Sequence, residues 1–219
     1  MKKLILGLFL VGSALSFSAE RTLSYEETFL DKKNGKVYAI GEETPYTGIV
    51  ENYKFLSGDR ILEGRIIFKN GLMEGTFKLL YPSGKTASIA TYKNGETDGI
   101  QKEYYENGQI KMEVLHKNGK AEGYLRTYYL NGKLEGEEKY QNGLREGLTK
   151  SYYEDGSLEG ERFYKNNNLE GINKIYHPNG KIQMEANFKD NKLEGIVKRY
   201  DENGKITSEE FYKNGNRIK

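Results

Sequence analysis

The sequence predicts an all-β protein, an elongated single-layer antiparallel meander of β-hairpins with about 24 residues per unit, and three observations predict it. Glycine stands at 75, 99, 123, 147, 171 and 195, a constant step of 24. A second glycine follows nine residues later, at 84, 108, 132, 156, 180 and 204. An aromatic residue or histidine follows seventeen residues after the first, as Tyr92, His116, Tyr140, Tyr164, Phe188 and Tyr212. Between these marks lie segments of about eight to ten residues rich in Tyr, Ile and Leu, which is strand length and strand composition.

Two sets of turns punctuate each unit. Ser83, Asn107, Asn131, Asp155, Asn179 or Asn203 precedes the ninth-position glycine, and Asn94-Gly95, Asn118-Gly119, Asn142-Gly143, Asn166-Asn167, Asp190-Asn191 and Asn214-Gly215 close the unit. Asn-Gly and Asp-Gly supply two successive positive φ angles, so both sets are predicted to be two-residue type I′ turns. Asn167 and Asn191 tolerate the left-handed region in place of glycine.

This placement sets Tyr129 opposite Leu134, Arg126 opposite Glu137 and Gly123 opposite Tyr140. Side chains alternate along a strand. One face is therefore expected to be apolar, carrying Tyr105 with Ile110, Tyr129 with Leu134, Tyr153 with Leu158 and the end-of-unit tyrosines. The other carries the pairs Lys102/Glu113, Arg126/Glu137, Lys150/Glu161, Lys174/Glu185 and Lys198/Glu209, flanked by Tyr104, Tyr128, Tyr152, Tyr176 and Tyr200. Lys78 has Ile89 opposite, so this charged ladder starts one unit later.

Taken from the start, residues 1–19 read as a secretory signal peptide. Lys2 and Lys3 precede the apolar run Leu4 to Val11, and small residues follow at Ser13, Ala14, Ser16, Ser18 and Ala19. Cleavage is expected after Ser16, Ser18 or Ala19, leaving an exported, soluble chain in the periplasm, at the cell surface or secreted. Residues 20–47 read as an N-terminal capping half-repeat, since terminal repeats of an array must close an open end. The units run 48–74, 75–98, 99–122, 123–146, 147–170, 171–194 and 195–219. The unit 48–74 is three residues over length, which places a wider hairpin around Phe55 to Arg60. At the far end Lys213, Arg217 and Lys219 discourage pairing of a further strand.

Composition narrows the function. A repeat buries surface only against its neighbours, so no compact core is expected. The chain has no cysteine, which excludes disulfides and thiolate metal sites. Losing Lys2 and Lys3 takes Lys+Arg from 34 to 32, equal to the 32 acidic residues. A net charge near zero argues against nucleic acid, which requires a surplus of cations against phosphate. His116 and His177 lie about two and a half units apart, roughly 25 Å at the usual strand spacing, too far for a shared metal or triad. Acid pairs such as Glu135/Glu137 and Glu159/Glu161 recur in successive units, whereas a catalytic pair needs one special site. No phosphate-binding loop or kinase signature is present, and NGK triplets such as Asn131-Gly132-Lys133 are hairpin turns. No enzymatic activity and no cofactor are expected.

The pattern GxxxxYYxNGxxxxxxxYxNGxxEG resembles the variant MORN repeat (MORN type 2) family, in bacteria often grouped with YwqK-like antitoxins, over about residues 24 to 219. The resemblance implies a gently curved single sheet of hairpins used to bind proteins or membranes. The leading expectation is a non-catalytic exported scaffold that binds a protein partner along a tyrosine-rich face. The binding residues singled out are Tyr104, Tyr128, Tyr152, Tyr176, Tyr200, Lys102, Arg126 and Lys150. Tyrosine offers rigid contact area at small entropic cost. Alternatives are a YwqK-like antitoxin or immunity protein, and a module attaching to membrane lipid or cell-surface glycan.

Overall fold

The computed structural model describes residues 21–57 and 60–218. The expected signal peptide and the terminal Lys219 lie outside them. The only helical element described is a single 3-10 turn, Tyr25–Glu27. Everything else regular is strand, in a 20-stranded sheet and a separate two-stranded one.

The repeat units pair as the period demands. In one unit Gly123 faces Tyr140 and Arg126 faces Glu137; in the next, Gly147 faces Tyr164 and Lys150 faces Glu161. Units join through the same antiparallel register, as in Glu137 with Lys150 and Glu161 with Lys174. Four passes are broken by one residue, for example Leu72–Met73 followed by Gly75–Leu80.

The two turns of each unit differ, and this corrects the sequence reading. At the unit boundary Asn94 and Gly95 have φ of 52° and 84°, and Asn166 and Asn167 have 48° and 70°, as a type I′ turn requires. At the mid-unit turn the glycine alone is left-handed: Gly132 has φ 83° and Asn131 is not among the positive-φ residues. There Gly132 N donates to Tyr129 O at 2.8 Å and Tyr129 N donates to Lys133 O at 2.9 Å, a three-residue loop. Asparagine serves here through its side chain, because Lys133 N donates to Asn131 Oδ1 at 2.9 Å and Ser157 N to Asp155 Oδ1 at 2.8 Å. The longer loop forces a bulge, so Tyr128, not Tyr129, faces Leu134.

The boundary turn is also held from the preceding unit. Asn142 N donates to a carboxylate oxygen of Glu122, and Asn166 N to one of Glu146, each at 2.9 Å. Recurrent Glu-Gly dipeptides thereby gain a structural use.

A second correction concerns the core. The strands Thr28–Asp31 and Lys36–Ala39 form their own antiparallel sheet. It does not extend the meander but lies against the face carrying Val50, Ile66, Phe68 and Phe77. Val37, Ala39 and Tyr46 join those residues and Leu62, Leu79 and Ala87 in one buried cluster. The Tyr46 hydroxyl lies 2.9 Å from both Arg21 O and Ile49 O. At this end the protein is two layers thick and has a compact core; nearest-neighbour burial alone describes only the units beyond it. Thr22–Ser24 adds to Gly48–Ser57 in parallel and covers that edge.

The long unit spends its extra residues in two ways. Its strands, Gly48–Ser57 and Arg60–Lys69, are ten residues each and pair out to Ser57 with Arg60, and a bulge falls between Val50 and Tyr53 with Asn52 at φ 55°.

Candidate functional site

The sheet has two faces, called here the cap face, on which the N-terminal sheet lies, and the ladder face. Following the register along the cap face, the central row reads Val50, Ile66, Phe77, Ala90, Gln101, Val114, Leu125, Glu138, Thr149, Arg162, Asn173, Ala186, Val197 and Glu210. The row is wholly apolar from Val50 to Ala90, is polar from Glu138 to Asn173, and returns to buried Ala186 and Val197 before Glu210. The expectation of one apolar face therefore holds for the first units and again at Ala186 and Val197, and fails between Glu138 and Asn173.

Along this face the mid-unit tyrosines form a hydrogen-bonded ladder. Tyr81, Tyr105, Tyr129 and Tyr153 each donate their hydroxyl to a main-chain oxygen one unit on, at Tyr104, Tyr128, Tyr152 and Tyr176, with distances of 2.5 to 2.7 Å. His177 stands in the same place, with Nε2 3.0 Å from Tyr200 O. It substitutes for tyrosine function as well as for its bulk. His116 takes the end-of-unit position opposite Gly99, and burial lowers its pKa. Beyond the cap, Phe77, Leu79, Tyr81, Ala90, Tyr105 and Lys111 line part of a groove of about 740 Å³.

On the ladder face the predicted ion pairs are present. Lys102 reaches Glu113 at 3.5 Å, Arg126 reaches Glu137 at 2.7 Å, Lys150 reaches Glu161 at 3.9 Å, Lys174 reaches Glu185 at 3.9 Å and Lys198 reaches Glu209 at 3.4 Å. Such half-exposed pairs contribute about 0.2–1 kcal/mol each. The singled-out tyrosines share this face but are not equivalent. Tyr128 donates to Glu113 at 2.8 Å and Tyr176 to Glu161 at 2.8 Å. These two rings are thus anchored into the ladder, and the carbonyls of all five tyrosines accept from the cap-face ladder.

Burial, reinforced by the acceptor carboxylate, pushes the Tyr128 and Tyr176 hydroxyls up to about 12. Each group keeps its proton in the fold after an unfolded tyrosine, at about 10, has lost it. Their contribution is therefore whole below pH 10 and lost as pH rises toward 12. Urea unfolding of the protein is expected to show stability falling across that window, and Tyr128→Phe with Tyr176→Phe is expected to flatten the fall.

The sequence reading missed a row of exposed apolar side chains on this same face. Cross-strand neighbours Ile100 and Leu115, Leu148 and Phe163, and Ile196 and Phe211 lie beside the ladder, with Tyr124 and Ile172 between them opposite Lys139 and Asn187. Ile172 is 58% exposed, Ile100 55% and Phe211 50%. The signal was available: the residue after each unit-start glycine is Ile100, Tyr124, Leu148, Ile172 or Ile196.

Among the described residues no group of three or more His, Asp or Glu is arranged to hold a metal ion. The acid pairs Glu135/Glu137 and Glu159/Glu161 sit in equivalent positions along the array.

Comparison with known proteins places the repeats. The model of the MORN repeat variant matches residues 73–94, 97–118, 121–142, 145–166, 169–190 and 193–214, together more than half of the chain. No curated protein matches the sequence.

Proposed function

Because the chain belongs to the MORN repeat variant family, whose repeats are generally modules involved in binding, we propose that it is a non-catalytic scaffold that binds a protein partner along its ladder face. The observation that carries this reading is the exposed row from Ile100 to Phe211 beside the paired charges. An interface of this kind has an apolar strip to desolvate and a polar rim already satisfied. Tyr104, Tyr128, Tyr152, Tyr176 and Tyr200 border the strip, and Lys102, Arg126 and Lys150 supply its rim. Export is part of the proposal and rests on Lys2, Lys3 and the apolar run after them. A toxin neutralised outside the cytoplasm is one form such a partner takes, and the family resemblance of the repeats motivates it.

Affinity capture from fractionated cells of the source organism tests the proposal, with residues 20–219 as bait beside a Leu148→Ser/Ile172→Ser variant. One stoichiometric protein held by the first and lost by the second is expected, and its identity decides the toxin question. Retention of the same set by both baits, or enrichment of lipid or wall material instead, would contradict it.

A further inference from the structure

We propose that the cap face carries a binding site for an oxyanion, built by Thr149, Ser151, Arg162 and Asn173. It lies on the opposite face from the proposed partner surface and does not depend on that reading.

The register brings these residues together. Thr149 faces Arg162 directly, and Glu161 facing Lys174 sets Asn173 beside Arg162 on the next strand. Ser151 is two residues along from Thr149 on the same face, opposite Gly160. Thr149 is 7% exposed and Asn173 6%. Thr149 Oγ1, Ser151 Oγ and Asn173 Nδ2 are nevertheless buried without a hydrogen-bond partner. Leaving such groups unpaired is costly, so three in one place call for an occupant.

Their chemistry selects the occupant. Asn173 Oδ1 accepts from Phe163 N at 2.8 Å, which fixes the amide orientation and leaves Nδ2 as a donor. The hydroxyls can donate, and a guanidinium can only donate. Among the described residues the Arg162 side chain has no ion pair or hydrogen bond. The nearest acid in the row, Glu138 on the far side of Thr149, is already engaged by the Tyr140 hydroxyl at 3.1 Å and by Arg145 Nε at 3.9 Å. Arg145 in turn stacks over the Tyr164 ring at 4.7 Å. A surplus of donors with one unneutralised cation fits a group with several acceptor lone pairs and negative charge, a carboxylate or a phosphate.

Gly160 keeps side-chain bulk away from these donors. Its φ lies outside the left-handed range, so conformation does not require glycine there. A Cβ at this position would lie 3.1 Å from Ser151 Oγ, 3.4 Å from Lys174 O and 3.8 Å from Arg162 Nη1. A side chain here would press against the Ser151 hydroxyl and approach the guanidinium, and glycine leaves both groups unobstructed. The equivalents of Arg162 in the other units are Ala90, Val114, Glu138, Ala186 and Glu210, so the site occurs once on an otherwise repeating surface.

The test is NMR titration of the full isotope-labelled chain with sodium acetate and with inorganic phosphate, against sodium chloride at equal ionic strength. Saturable shifts centred on the Asn173 side-chain amide and the Gly160 and Phe163 amides are expected. Stronger response to acetate identifies a carboxylate as the natural group, and stronger response to phosphate a phosphoryl group. Arg162→Gln is expected to weaken binding about ten- to hundredfold, the range for a hydrogen bond to a charged group. Gly160→Ala keeps every donor, crowds the Ser151 hydroxyl and the guanidinium, and is expected to weaken binding comparably. The proposal is overturned if neither anion shifts these resonances beyond chloride. It is equally overturned if both variants, with native-like spectra, bind as tightly as the parent.

Discussion

Phe68→Ala is expected to lower stability by about 3–5 kcal/mol, the usual result of deleting a buried aromatic ring. Phe68 is 3% exposed, faces Gly48 across the hairpin and packs in the cluster shared by the cap and the first units. Tyr53 lies 6.4 Å away, ring to ring. The ladder-face ring Phe163, 41% exposed, is the internal control. Phe163→Ala removes one cross-strand contact with Leu148 and is expected to cost about 1 kcal/mol or less. Because repeat stability is a sum over neighbours, the Phe68 loss should be local. Hydrogen exchange should quicken in Gly48–Ser57 and Arg60–Lys69 and stay unchanged in Gly171–Tyr176. Equal losses from the two substitutions would show that the cap is not the core of this protein.

The second large effect concerns binding. Leu148→Asp with Ile172→Asp places two charges in the exposed row without touching the ladder pairs or the buried central row. Interfaces concentrate their energy in a few desolvated apolar anchors, each contributing about 2 kcal/mol or more. The double substitution is therefore expected to weaken the partner complex about a hundredfold or more. The same variant should melt within a few degrees of the parent, since both side chains are solvent-facing. Tyr128→Ala is expected to weaken binding less and stability more, because its hydroxyl is committed to Glu113.

The repeat period and strand register were legible in the sequence because glycine and asparagine report backbone conformation directly. Gly123 opposite Tyr140 and Arg126 opposite Glu137 follow from turn position alone. The mid-unit turn was not legible, because asparagine serves two turns by two mechanisms. At 142 its backbone is left-handed, while at 131 its side chain accepts from Lys133 N. That one-residue difference moved Tyr129 off Leu134 and onto the main chain of the next unit.

The cap was hidden for a different reason. Val37, Ala39 and Tyr46 bury against residues of the first units through contacts that no local pattern encodes. The candidate surfaces were half visible. The Lys/Glu ladder shows as a regular charge pattern, but attention to charge obscured the apolar row one position away, from Ile100 to Ile196. The cluster at Thr149, Ser151, Arg162 and Asn173 breaks the repeat, and a consensus reading averages such departures away.

Photo-crosslinking tests the central claim most directly. Benzoylphenylalanine is placed at Ile172 on the ladder face or at Ile175 on the cap face, and the protein is irradiated with the captured partner. The account predicts a crosslinked product from position 172 and none from 175. Crosslinking from 175 alone would move the partner to the cap face and contradict the binding surface assigned here.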